Sequence, residues 1–128
     1  SIFNFNVIYI MAKASNRSNK IPKFIKKLNE ILEVTYRNNL EFTILLIGAW
    51  LEDGRGFIIL NPSRFIEEVL PEFFKHKNMA SFVRQLNMYG FNRPKESNQN
   101  IYSHPSFIKG NLNSMRQILR KVRDRRET

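Results

Sequence analysis

The sequence predicts an α+β fold: a three-helix bundle capped by a small antiparallel β-sheet, with a C-terminal helix. Two observations carry that expectation. Apolar residues recur at helical spacing in well-separated stretches, and two β-branched or aromatic runs flank an Asp-Gly turn. At 128 residues the chain is long enough for one domain with a real core and too short for two ordinary ones.

The elements follow in chain order. Pro22 suits the first turn of a helix, and Phe24, Ile25, Leu28, Ile31 and Leu32 then fall on one amphipathic face. Polar Arg37-Asn38-Asn39 ends it. Residues 42–51 are apolar and β-prone and predict a strand. Asp53-Gly54 predicts a hairpin turn, and residues 57–60 return antiparallel. Asn61-Pro62-Ser63 reads as the entry to a second helix bearing Phe65, Ile66, Val69 and Leu70. Pro71 is expected to kink or break it, having no N–H and crowding the preceding turn.

After the basic link Lys75-His76-Lys77, Asn78 is a good N-cap for a third helix, residues 79–89, stopped by Gly90. Residues 91–93 and 101–103 predict two short strands around a polar loop, 94–100. Residues 112–123 predict a last helix with Leu112, Met115, Ile118, Leu119 and Val122 on one side. Two adjacent helices followed by a strand–loop–strand unit are the order of a winged helix-turn-helix.

Charge narrows the function. Twenty-one Lys and Arg stand against eleven Asp and Glu, a net +10, which points to nucleic acid or an anionic membrane surface. The excess is concentrated: residues 73–95 contain no acid but hold Lys75, Lys77, Arg84, Arg93 and Lys95, and a second cluster runs from Lys109 to Arg126. There is no cysteine, which excludes disulfides and thiolate metal sites. The apolar stretch 2–11 is too short to span a bilayer and lacks the features of a signal peptide. Met11-Ala12-Lys13 resembles a natural start, so residues 1–20 are expected to be an extension without stable structure.

At about 100° per residue, Met79, Phe82, Val83, Leu86 and Tyr89 share one side of the third helix. Ser81, Arg84, Gln85 and Met88 stand opposite, with no acid to repel a polyphosphate. Arginine matches guanine O6 and N7 with its planar fork, and Ser and Gln offer adaptable donors and acceptors for other base edges. Arg93, Lys75 and Lys121 suit phosphates, which fix register. The bland alternative for Arg84 is solvation of an exposed helix, and for Asn87 a structural hydrogen bond.

The segment FFKHKNMASFVRQLNMYGF, residues 73–91, closely resembles the signature of heat shock factor DNA-binding domains. Phe24-Ile25-Lys26-Lys27-Leu28, Trp50 with Asp53-Gly54 and Phe57, FIEEVLP at 65–71, and His104-Pro105-Ser106-Phe107 with ILRK at 118–121 extend the resemblance over nearly all of residues 22–123. The resemblance implies that Arg84 contacts the guanine of a repeated GAA unit. It implies that Ser81, Gln85 and Asn87 line the base-reading surface, and that Lys75, Tyr89, Arg93, Arg120 and Lys121 serve the DNA backbone. Trp50, Phe57, Phe65, Phe74, Phe82 and Phe91 match an aromatic core. The implied partner is double-stranded DNA with inverted GAA repeats, the place of action the nucleus, and the role regulation of transcription, with no cofactor.

On this reading residues 21–123 form the domain and 124–128 begin a charged linker. The chain departs from the family in being several residues longer between Phe24 and Trp50. It also reads Asn92-Arg93-Pro94 after the third helix, which should shorten the third strand, and its wing is short. Sustained heptads are absent from this chain, so either it is a fragment and assembly with other copies rests on further sequence, or the family's usual trimer is lacking.

Other function classes find little support. A module with only non-specific DNA affinity is the second reading. An enzyme is the third: His76 and His104 lack partners at metal-ligand spacing, no Gly-rich phosphate loop occurs, and Glu67-Glu68 read as a polar helix face. The last helix could serve a membrane surface, but its apolar side is expected to close the core instead.

Overall fold

The computed structural model describes residues 21–37 and 47–121. The expected extension 1–20, most of the strand placed at 42–51 with the inserted material, Val122 and Arg123 of the last helix, and the linker 124–128 lie outside the described residues.

Helix α1 (Lys23–Arg37) starts one residue after Pro22. Its expected face is buried, with Phe24, Ile25, Leu28, Ile31 and Leu32 all in the core. Burial is not one-sided, however. Asn29 and Glu30 are enclosed too, and among the described residues neither Glu30 carboxylate oxygen has a hydrogen-bond partner. Burial pushes the Glu30 carboxyl up to about 7, against the pull of Lys26 and Lys27.

Strands β1 (Gly48–Trp50) and β2 (Phe57–Ile59) form the hairpin that Asp53-Gly54 predicted. Gly54 sits at φ +70°, and its N–H returns to the Leu51 carbonyl at 2.9 Å. Strand β3 (Asn100–Tyr102) joins the free edge of β2, giving an antiparallel sheet β1-β2-β3 with Phe57 opposite both Trp50 and Tyr102.

Helix α2 spans 62–74 and decides between the two outcomes expected at Pro71. The helix does not break. It runs as α over Pro62–Arg64, widens to a π segment over Phe65–Val69, and resumes as α over Leu70–Phe74. The Leu70 N–H bonds the Phe65 carbonyl, five residues back. One extra residue in the turn before Pro71 relieves the clash of its ring with the carbonyl of the preceding turn, so the chain continues helically. Lys75 then stops α2 in the left-handed conformation, φ 61°.

Helix α3 (Met79–Met88) closely follows its predicted span. The Asn78 side chain accepts from the Ser81 N–H at 3.0 Å. At the far end Gly90, φ +82°, closes a Schellman motif: Phe91 N–H bonds the Leu86 carbonyl and Gly90 N–H the Asn87 carbonyl.

Two expectations fail after α3. Residues 91–93 form no strand; a single bridge joins Asn92 to Ser103, because Pro94 cannot extend the ladder. The C-terminal helix is one turn, α4 (Leu112–Met115), rather than an element reaching 123. Beyond it, Gln117 and Ile118 donate three residues back, which tightens and ends the coil. Met115 and Ile118 are fully buried, but Leu119 is 75 % exposed and faces away from the core.

The core has two aromatic centres. Phe24, Phe65, Phe74 and Phe82 meet between the helices, and Phe57, Phe91, Phe107 and Tyr102 meet over the sheet. Of the six expected core aromatics, Trp50 and Phe74 are half-buried at its margin and the other four are buried. Trp50 stacks on Phe107 at 4.9 Å.

Candidate nucleic-acid interface

Phe82 and Leu86 anchor α3 in the core, at 1 % and 0 % exposure, and thereby fix which side faces out. Ser81, Arg84 and Asn87 are exposed, Gln85 and Met88 half-buried. The outward side is therefore the acid-free side of the helical wheel.

Both ends of α3 are held. The Asn78 cap and a hydrogen bond from its N–H to His76 Nδ1, 3.0 Å, organise the start. At the end, the Lys121 N–H donates to the Met88 carbonyl at 2.7 Å, and Arg120 Nη2 approaches Met88 Sδ at 3.5 Å. Met88 thus receives the C-terminal segment and brings Arg120 and Lys121 beside α3. These two residues are where a lengthened helix had been expected, and leaving the helix is what lets the chain make this contact.

A cleft of about 370 Å³ lies beside α3, where Ser81, Gln85, Tyr89 and Arg120 meet Lys23 and Lys27 of α1. Its floor is apolar: Tyr89 stacks on Phe24 at 5.4 Å and 11°. The structure thus gathers four of the nine expected site residues there. Arg84 and Asn87 stay on the outward face. Lys75 stands exposed at the α2–α3 turn, and its charge is felt at Lys27. Arg93 belongs to a different neighbourhood, with its guanidinium 5.9 Å from the Tyr102 ring centre.

Not every nearby cation is available. Lys77, on the acid-free segment, is paired with Glu67 at 2.9 Å. Sequence reasoning passed over Lys23 and Lys27, although their i,i+4 spacing puts them side by side on α1. The signal was there, but nothing in sequence alone says that this flank of α1 lies beside α3.

The histidines are structural in their contacts. Both Nδ1 atoms accept backbone N–H groups, that of His104 from Ser106 at 2.9 Å. Burial pushes the His104 imidazole below its usual value. Among the described residues no cluster of His, Asp or Glu is set to hold a metal ion, and no helix is long and apolar enough to cross a membrane.

Comparison with known proteins gives a consistent result. Residues 24–121 match the family described as HSF-type DNA-binding. Heat shock factor protein 2 from Homo sapiens is 39 % identical over 116 residues, covering 83 % of this chain and 20 % of that protein. This chain therefore spans about a fifth of the length of that relative. Among solved structures, Chaetomium thermophilum Skn7 with SSRE DNA is similar at a TM-score of 0.66 and 32 % identity, covering 78 % of this chain and all of that one. The same protein with HSE DNA gives 0.63 and 34 %, covering 77 % and 100 %. A heat shock transcription factor/DNA complex gives 0.52 and 33 %, covering 65 % and 94 %.

Proposed function

Since the chain belongs to the HSF-type DNA-binding family, we propose that residues 21–123 are a transcription factor's sequence-specific reader of double-stranded DNA, acting in the nucleus on GAA-type heat shock elements. The observation that carries this reading is the outward face of α3. It presents Arg84 with Ser81 and Asn87, free of acidic residues, on a helix anchored from behind by Phe82 and Leu86 and capped at both ends.

On this reading α3 enters the major groove. Arg84 donates in parallel to guanine O6 and N7, while Ser81, Gln85 and Asn87 serve neighbouring base edges. Lys75, Tyr89, Arg93, Arg120 and Lys121 meet phosphates and sugars and set the register. Support for the pairing with heat shock elements comes from Skn7, whose similar domain was solved with HSE DNA. Further copies of the chain, joined through sequence beyond these residues, would add avidity on inverted repeats.

The test is binding to a duplex of inverted GAA repeats against a scrambled duplex, at fixed near-physiological salt. A clear preference that falls when the guanine is changed supports the reading. Equal binding to both duplexes refutes sequence reading by this domain and leaves non-specific affinity.

A further inference from the structure

The cleft beside α3 has two walls, and only one of them belongs to the groove-reading surface. The other is α1, which contributes Lys23 and Lys27 one helical turn apart. Lys23 is exposed, and the Lys27 ammonium lies 5.6 Å from the ring centre of Phe74, which also lines the cleft. Arg120 approaches the same cleft from the C-terminal segment. Two separate parts of the chain, α1 and the C-terminal segment, therefore bring three cations to one place beside the proposed reading helix.

Among the described residues no ion pair joins these three charges to a carboxylate. Burial, then the neighbouring charges of Lys23 and Lys75, push the Lys27 ammonium below the usual lysine value, and only Glu30 pulls the other way. Glu30 itself is fully buried. A cluster of like charges is unfavourable in the free protein and is relieved by an anion. The stacked Phe24 and Tyr89 rings make the floor largely apolar, so the charge that attracts an anion sits on the walls.

We propose that Lys23 and Lys27 of α1 form a second anchoring arm, with Arg120 opposite, that seats a backbone phosphate of the duplex while α3 occupies the groove. This rests on the DNA-binding reading above and adds to it contacts from the first helix. Contacts of this kind carry no sequence information, so they act alike on every duplex and are released by salt.

The experiment measures affinity against salt concentration for the whole chain on the GAA-repeat duplex and on the scrambled duplex. Variants are Lys23→Gln, Lys27→Gln, the pair together, and Arg55→Gln as a control that removes one exposed charge from the β1–β2 turn. Each phosphate contact contributes about 0.9 to the slope of log K on log salt. The paired variant is expected to flatten the slope by about 0.9 on both duplexes, losing roughly eightfold in affinity at 0.1 M salt relative to 1 M. The ratio between duplexes stays unchanged, and Lys→Arg at both positions restores the slope.

An unchanged slope in the paired variant overturns the proposal, and so does an equal flattening by Arg55→Gln, which would make it a matter of net charge. Unfolding midpoints of the Lys→Arg and Lys→Gln pairs separate lost contact from lost fold. Failure of the sequence-reading proposal appears elsewhere, as equal affinity of the unmodified chain for both duplexes.

Discussion

The ring of Tyr89 lies flat against that of Phe24, centroids 5.4 Å apart and planes 11° from parallel. Phe24 also meets Phe74 and Phe82, so this stack ties the end of α3 to the start of α1 through the core. Aromatic pairs of this kind are worth about 0.5–1.5 kcal/mol beyond the area they bury. In a double-mutant cycle of Phe24→Leu and Tyr89→Leu, urea unfolding should show a coupling energy in that range. Additive losses would mean that the two helices are held independently.

Arg84→Ala should leave the unfolding midpoint in place, because the side chain is exposed. Binding to the GAA-repeat duplex should weaken by about 1–3 kcal/mol, with a reduced penalty for replacing the guanine. An equal loss on every duplex would reassign Arg84 to the phosphates.

Asn78 separates stability from binding. Asn78→Ala removes the acceptor for the Ser81 N–H and should cost about 1 kcal/mol in thermal or chemical unfolding. Asn78→Asp caps equally well and favours the positive end of the helix. It also places a negative charge at the edge of a surface meant for phosphates. It should therefore unfold like the parent and bind every duplex more weakly.

Glu30 gives the domain a pH dependence near neutrality. Its folded value, about 7, lies above the ordinary 4.5, so ionisation costs the folded state more than the unfolded chain. The associated stability is whole below pH 4.5 and is lost as the pH rises through about 7. At about 1.4 kcal/mol per unit the total reaches at most about 3.5 kcal/mol. Glu30→Gln should flatten the change in unfolding free energy between pH 5 and 8, and an unaltered profile would place the titration elsewhere. His104 acts oppositely: its lowered value makes stability fall as the pH drops below that of an ordinary histidine.

Much of this was legible in sequence where local chemistry decides the outcome. Asn78 and Gly90 bracket α3 because a side-chain acceptor and a positive φ have few substitutes at helix ends. Phe82 and Leu86 give its facing by periodicity alone. Legibility ended where a distant partner decides. Residues 116–121 are helical in pattern, yet the chain uncoils there to reach Met88. Pro71 forbids a regular turn but does not say whether the helix will stop or widen. The cleft is a third case, since Lys23 and Lys27 look like ordinary solvated charges until α1 is seen beside α3.

The hydrogen bond from Lys121 to Met88 also sets how the domain responds to force. A pull on the polypeptide beyond residue 121 is delivered to the last turn of α3 before it reaches the sheet. One backbone bond, 2.7 Å long, stands between that tension and the end of the proposed reading helix. Loosening it would free the Met88 carbonyl while leaving the three carbonyls before it bonded. The domain thus has a mechanical weak point at the edge of its proposed DNA-contacting surface, just ahead of the buried anchor Ile118.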